Sequence, residues 1–238
     1  MKQELIYGVR PVIEALRSGR RKVFEVLDAP GNQVVSEAAA ASGVPVKRVP
    51  LTRIEELVRG ATHQGAAARV GPYPYVGLDN ILATPEPLIL VLDGVTDPRN
   101  LGAVLRAADG AGASGVVIPK DRAVGVTAAV VKASAGASEH VLVAKETNLR
   151  RAIDRMKESD VWVYAAEVGG TVYTELDLTG PVALVLGSEG RGVRRLVRED
   201  CDGALSIPML GVVESLNVSV AAAVLLYEAG RQRGWRHT

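Results

Sequence analysis

The spacing of apolar and polar positions changes rhythm once along this chain. Up to Gly71 the apolar blocks are short and mixed. Helical spacing covers Pro11–Ser18, Gln33–Ser42 and Thr52–Val58, and strand-like runs occupy Val23–Asp28, Pro45–Val49 and Ala66–Tyr73. Met1–Leu16 is interrupted by polar residues and reads as helix-like. Short alternating elements of this kind predict a small α/β sandwich. Gly71–Pro87 is rich in Pro and Gly, lacks helical periodicity and reads as an extended interdomain linker. From Leu88 strand and helix alternate regularly. Strands are expected at Leu88–Asp93, Gly115–Ile118, Val141–Val143, Val161–Ala166, Val182–Leu186 and Ala204–Ile207. Helices are expected at Asn100–Gly110, Thr127–Ser134, Asn148–Ser159, Arg191–Val197 and Asn217–Ala229. Apolar strands separated by helices predict a parallel sheet covered on both faces. The expected partition is a domain at 1–71, a linker at 72–87 and a second domain at 88–238.

Composition narrows the class without naming a function. Hydrophobic residues at 47% and charged residues at 23% describe an ordinary globular protein. The single Cys201 excludes an internal disulfide and fits a reducing, cytoplasmic setting. No charged-then-apolar leader opens the chain, and apolar runs such as Val218–Leu226 fall short of a membrane span, so no membrane partner is expected. The net charge of +1 hides an asymmetry: residues 1–71 hold 11 basic and 7 acidic side chains, the rest 17 and 20. A basic module ahead of a mildly acidic one points to a polyanionic partner for the first. Aromatics at 4% are too few for base stacking to dominate, which favours folded RNA read by shape and phosphates. The three histidines, His63, His140 and His237, lie in no Cys/His cluster, so no metal site is expected.

Three polar, glycine-bearing segments follow expected strands, where ligands of parallel sheets bind. The first is Asp93–Arg106, in which Pro98 stiffens the loop, Asn100 is expected to cap a helix, and Gly102 and Arg106 share a helix face. Taken alone it reads rather as a βα turn with a surface arginine and a helix cap. The second, Val185–Val193, contains Gly187, Gly190 and Gly192, which permit close backbone approach to a ligand. Glu189 at its centre, where a phosphate loop would want Lys, suits a hydroxyl or cation better than a polyphosphate. The third runs Ile207-Pro208-Met209, then Ser215-Leu216-Asn217-Val218-Ser219 into an Ala-rich helix. Met209 and Leu216 offer apolar contact to a flat ring, and Ser215 and Asn217 can satisfy a helix start.

Together the segments resemble the SpoU/TrmH family of SPOUT RNA ribose methyltransferases, through N-x-G-x-x-x-R (Asn100, Gly102, Arg106), G-S-E-G-x-G (Gly187–Gly192) and I-P-M…S-L-N-V-S (Ile207–Ser219). The front segment resembles the ribosomal-protein-like substrate-binding domain of the subgroup that methylates a guanosine in 23S rRNA, through Ile6–Val12 and His63-Gln64-Gly65. The resemblance implies a trefoil-knotted α/β domain, a homodimer, S-adenosylmethionine as cofactor and RNA as partner. It also implies cofactor binding by Leu186, Gly187, Gly190, Ile207, Pro208, Met209, Ser215, Leu216 and Asn217. Arg106, Asn100, Glu189, Ser215 and Asn217 would form the catalytic set.

In that chemistry a ribose 2′-hydroxyl attacks a sulfonium methyl, so it must be held in line and relieved of its proton. Arg106 matches the family's essential arginine, which has been given the role of base. Guanidinium stays protonated in proteins, so Arg106 is better suited to hold the target phosphate and stabilise the developing alkoxide, with Glu189 or water taking the proton. Asn100 and Asn217 would position the ribose. A dinucleotide-dependent oxidoreductase or ordinary Rossmann methyltransferase wants G-x-G directly after the strand, whereas Val95-Thr96-Asp97-Pro98 stands there. A non-catalytic RNA-binding protein would not need the full catalytic set. A tRNA ribose or a resistance-type rRNA site remains an alternative target.

Overall fold

In the computed structural model, residues 3–29, 32–188 and 190–235 are described. The chain divides into two compact units, Met1–Pro74 with Val126–His140, and Tyr75–Gly125 with Val141–Thr238. The first unit is built on β1 (Glu4–Tyr7), α1 (Val9–Ser18), β2 (Val23–Asp28), α2 (Gln33–Ala41), β3 (Val46–Arg48), α3 (Leu51–Val58) and β4 (Ala66–Val70). Its sheet has the order β1-β4-β2-β3, with β4 antiparallel to both neighbours and β2 parallel to β3. Leu27, Ile54, Val58 and Ala67 close a small apolar core.

Two expectations fail here. Glu4–Tyr7 is a strand rather than the start of a helix. Gly8, at φ 105, separates it from α1 in a backbone region that L side chains rarely adopt. The apolar spacing of Ile6, Val9 and Val12 runs across that break and imitates one helix. Gly71–Pro87 is not wholly extended either. It contains α4 (Leu78–Leu82), whose Leu78 and Ile81 are buried in the core of the second unit. Ile81 lies against Gly115 so closely that an added Cβ there would meet its Cδ1 at 2.6 Å.

The second unit continues with β5 (Leu88–Asp93), α5 (Pro98–Gly110) and β6 (Gly115–Pro119). The chain then lends α6 (Ala128–Ala133) and a 3-10 turn, Ala137–Glu139, to the first unit. Back in the second unit come β7 (Val143–Glu146), α7 (Leu149–Glu158), β8 (Trp162–Val172), β9 (Val182–Gly187), α8 (Arg195–Glu199), β10 (Gly203–Ser206) and α9 (Val218–Gln232). The sheet order is β10-β8-β9-β5-β6-β7, and every pairing is parallel. All six residues of β5 are buried, as expected of a central strand covered on both faces. All six strands therefore end on one edge.

Boundaries shift where polar residues pair in ways that spacing does not reveal. Asp97, not Asn100, caps α5: its carboxylate accepts from the Arg99 amide at 2.7 Å, and Pro98 occupies the first turn. Helix α8 begins at Arg195 rather than Arg191, because Gly192 turns back to Ser188 at a bridge. Strand β8 runs on to Val172, past a register shift against β10.

The segment lent to the first unit is held by an unusual pair. Arg21 and Glu139 have side chains 2% and 0% exposed, and the guanidinium donates twice to the carboxylate, at 3.0 and 2.5 Å. Arg20 reaches the carbonyls of Glu139 and His140, and the Tyr73 hydroxyl donates to Ser138 O at 2.6 Å. Removing one member of a buried pair strands the other charge. Glu139→Ala should therefore destabilise the first unit by about 3–5 kcal/mol, read as a lower urea midpoint for that unit.

Candidate active site at the carboxyl edge of the sheet

Each expected segment leaves a strand at the shared edge. The first follows Asp93 of β5, the second follows Gly187 of β9, and the third follows Ser206 of β10. Asp93 and Gly187 are register partners in neighbouring strands. The third segment starts at the outer strand β10 and ends at the start of α9, where Asn217 Nδ2 donates to Asn100 Oδ1 of α5 at 3.1 Å. The stretch Ile207–Leu216 therefore links the outer strand β10 to the start of α9 beside α5.

Asn217 has two roles. As N-cap of α9 its Oδ1 accepts from the Ser219 amide at 2.9 Å and the Ser219 hydroxyl at 2.6 Å, and its Nδ2 ties α9 to Asn100. Asn100, relieved of capping by Asp97, sits in the first turn of α5, half-buried. Arg106 lies further along α5, exposed, with no hydrogen bond or ion pair among the described residues. Its rise past Asn100 is about 9 Å. Arg99 is seven residues before it and also exposed, so both guanidinium groups stand on one face of the helix. Arg99 escaped the sequence reading, although the spacing of seven signals the shared face.

The second segment is a tightly folded loop. A Cβ on Gly187 would lie 1.8 Å from Gly192 C and 2.1 Å from Val193 N, because that backbone passes directly over it. The Gly192 amide donates to Ser188 O at 3.0 Å, and Gly190 and Gly192 have φ of 77 and 64. At the far end of the loop, Arg194 donates through its amide and its Nε to the buried Asp93 carboxylate, at 2.8 and 2.7 Å. Neither Asp93 nor Arg194 was singled out from sequence, although an acid closing a wholly apolar strand is a visible signal. Glu189 lies outside the described residues, as does His237.

In the third segment Ile207, Met209 and Leu216 are half-buried, and Pro208 and Ser215 are exposed. Leu186 is buried as the penultimate residue of β9. Cys201, near α8, donates to Val197 O, and burial pushes its thiol up to about 11. It is thus no thiolate nucleophile. In the first unit His63 is buried and accepts from the Gly65 amide at 3.2 Å, so it shapes the His63-Gln64-Gly65 turn. That turn, with Leu51 and Glu55, rims an open cavity of about 630 Å³.

Residues 87–227 match the SpoU rRNA methylase family, and residues 5–76 match the RNA 2′-O ribose methyltransferase substrate-binding family. The chain belongs to the SpoU rRNA methylase family. The 23S rRNA (guanosine-2′-O-)-methyltransferase RlmB of Vibrio cholerae is 44% identical, over 98% of this chain and 98% of its own length. The SpoU methyltransferase AviRb of Streptomyces viridochromogenes, solved with its cofactor AdoMet, superposes with a TM-score of 0.82 at 25% identity, covering 99% of this chain and 92% of that one. An AdoMet-bound rRNA methyltransferase of Sinorhizobium meliloti gives 0.81 at 27% identity, over 96% and 87%.

The overlap at Gly187 is with backbone, which no rotamer change relieves. Gly187→Ala in this SpoU-family chain should therefore cost about 3 kcal/mol of stability, the upper end for overpacking. Denaturant unfolding beside the parent protein measures it.

Proposed function

We propose that this protein binds S-adenosylmethionine and methylates the ribose 2′-hydroxyl of a guanosine in 23S rRNA. The observation that carries it is the Asn217–Asn100 hydrogen bond, which joins the third segment to the first beside the glycine loop. The surroundings suit this cofactor. The loop presents backbone rather than bulky side chains, and the third segment adds apolar Ile207, Met209 and Leu216. Backbone of Leu186, Gly187, Gly190, Ile207, Pro208, Met209 and Leu216 would hold it, with Ser215 and Asn217 at its polar side. When bound, S-adenosylmethionine supplies an electrophilic methyl group on a sulfonium.

The chain's own residues then orient and activate the nucleophile. Arg106, permanently charged, holds the phosphate beside the target ribose and stabilises the alkoxide as it develops. Arg99, on the same face, takes a further phosphate. Asn100 and Asn217 fix the ribose in line with the methyl. The proton passes to Glu189 or to water. The first unit, whose charge is +4 over residues 1–71, holds the rRNA. A homodimer belongs to the same proposal, supported by exposed Val220 and Tyr227, which are seven apart on α9. The trefoil knot and a cytoplasmic setting belong to it as well.

Incubation with methyl-labelled S-adenosylmethionine and unmodified 23S rRNA should yield alkali-stable 2′-O-methylguanosine at one position. Label in tRNA alone would move the target. Arg106→Ala should lower kcat by at least about 100-fold, with the KM for the donor within about threefold of the parent. An Arg106→Lys protein with near-normal turnover, and a pH–rate limb following the new amine, would instead make residue 106 the base.

A further inference from the structure

We infer that Asp93 is a positioning residue for methyl transfer: through Arg194 it holds the glycine-rich loop after β9 in the conformation that binds the methyl donor. The inference rests on the methyltransferase function proposed above. Asp93 is the last residue of β5 and the only ionisable one in that strand, and its side chain is 0% exposed. Burying a carboxylate at the end of an apolar strand is unfavourable unless its oxygens are matched. Both are matched by one residue: Oδ2 accepts the Arg194 amide at 2.8 Å and Oδ1 accepts Arg194 Nε at 2.7 Å. The first contact fixes main chain, the second a side chain that is itself 58% exposed.

The position of this contact makes it more than a local fastening. Asp93 is the register partner of Gly187, so the loop leaves β9 beside the carboxylate and is held by it again at Arg194. Between these points the Gly192–Val193 backbone is pressed over Gly187 with no room for a side chain, and Gly192 bonds back to Ser188. Gly190 and Gly192, with positive φ, would sample many conformations without an anchor. Burying Asp93 therefore holds a glycine-rich backbone in one shape before the donor arrives, which lowers the ordering cost of binding.

The test uses the full-length protein and S-adenosylhomocysteine as the probe, titrated by calorimetry against the parent, Arg194→Ala, Asp93→Asn and the double variant. Arg194→Ala keeps the amide contact and leaves an exposed position, so it is the variant designed to stay folded. It should bind S-adenosylhomocysteine about tenfold more weakly, the size of one charge-assisted hydrogen bond. The KM for the donor should rise in step, while kcat at saturating donor and the KM for rRNA stay within about threefold. The double variant should bind no more weakly than Asp93→Asn, because both changes break one linkage. Unchanged probe affinity in folded Arg194→Ala, or additive losses in the double variant, overturns the inference. A parent protein that does not bind the probe overturns the donor assignment instead.

Discussion

Uniform parallel pairing is the constraint on which the second unit depends. Because β5 through β10 all run the same way, their carboxyl ends form a single edge, and the loops after β5, β9 and β10 meet there despite their distance in sequence. One reversed strand would send its loop to the opposite edge. The order of strands then decides what each loop can reach. With β10 on the outside, the third segment must run from that edge of the sheet back to α9, which packs against α5 and β9. The meeting of these loops thus arises from strand direction and order before any side chain is considered.

Much of this was legible in sequence, and the failures have particular causes. Strands β2 and β5 were predicted to the residue: β5 is a continuous apolar run after Pro87, and β2 is a mostly apolar run interrupted by Glu25 and ended by Ala29-Pro30-Gly31. Helix α9 followed from the capping character of Asn217. Strand β1 was missed because helical apolar spacing continues across Gly8, and only its backbone angle reveals the break. Helix α4 was missed because prolines flank a segment too short to show a period. Asn100 was misread as a cap because Asp97, an equally good cap, stands three residues earlier beside Pro98. Its release from capping leaves it available to meet Asn217.

The division of the chain into units was the least legible feature. Val126–His140 reads as an ordinary helix between two strands of the second sheet, yet it packs with the first unit. Val130 and Val131 are buried there, and a polar cluster joins them. Glu139 is buried against Arg21, and the carbonyls around it are taken by Arg20 and Tyr73. Hydrophobic periodicity cannot foresee such a pair, because buried charges are placed by a specific partner and not by a repeating pattern. The net worth of such pairs is small, but the penalty for separating them is large.

The Asn217–Asn100 contact carries chemical information beyond its strength. An amide can be turned over without changing its shape, so its donor and acceptor ends must be assigned from neighbours. Here the assignment is forced. The Ser219 amide can only donate, so the Asn217 atom it meets must be the carbonyl oxygen, and the other end of Asn217 must donate. Asn100 therefore meets it with its own oxygen. A backbone amide in α9 thus sets the polarity of a side chain in α5.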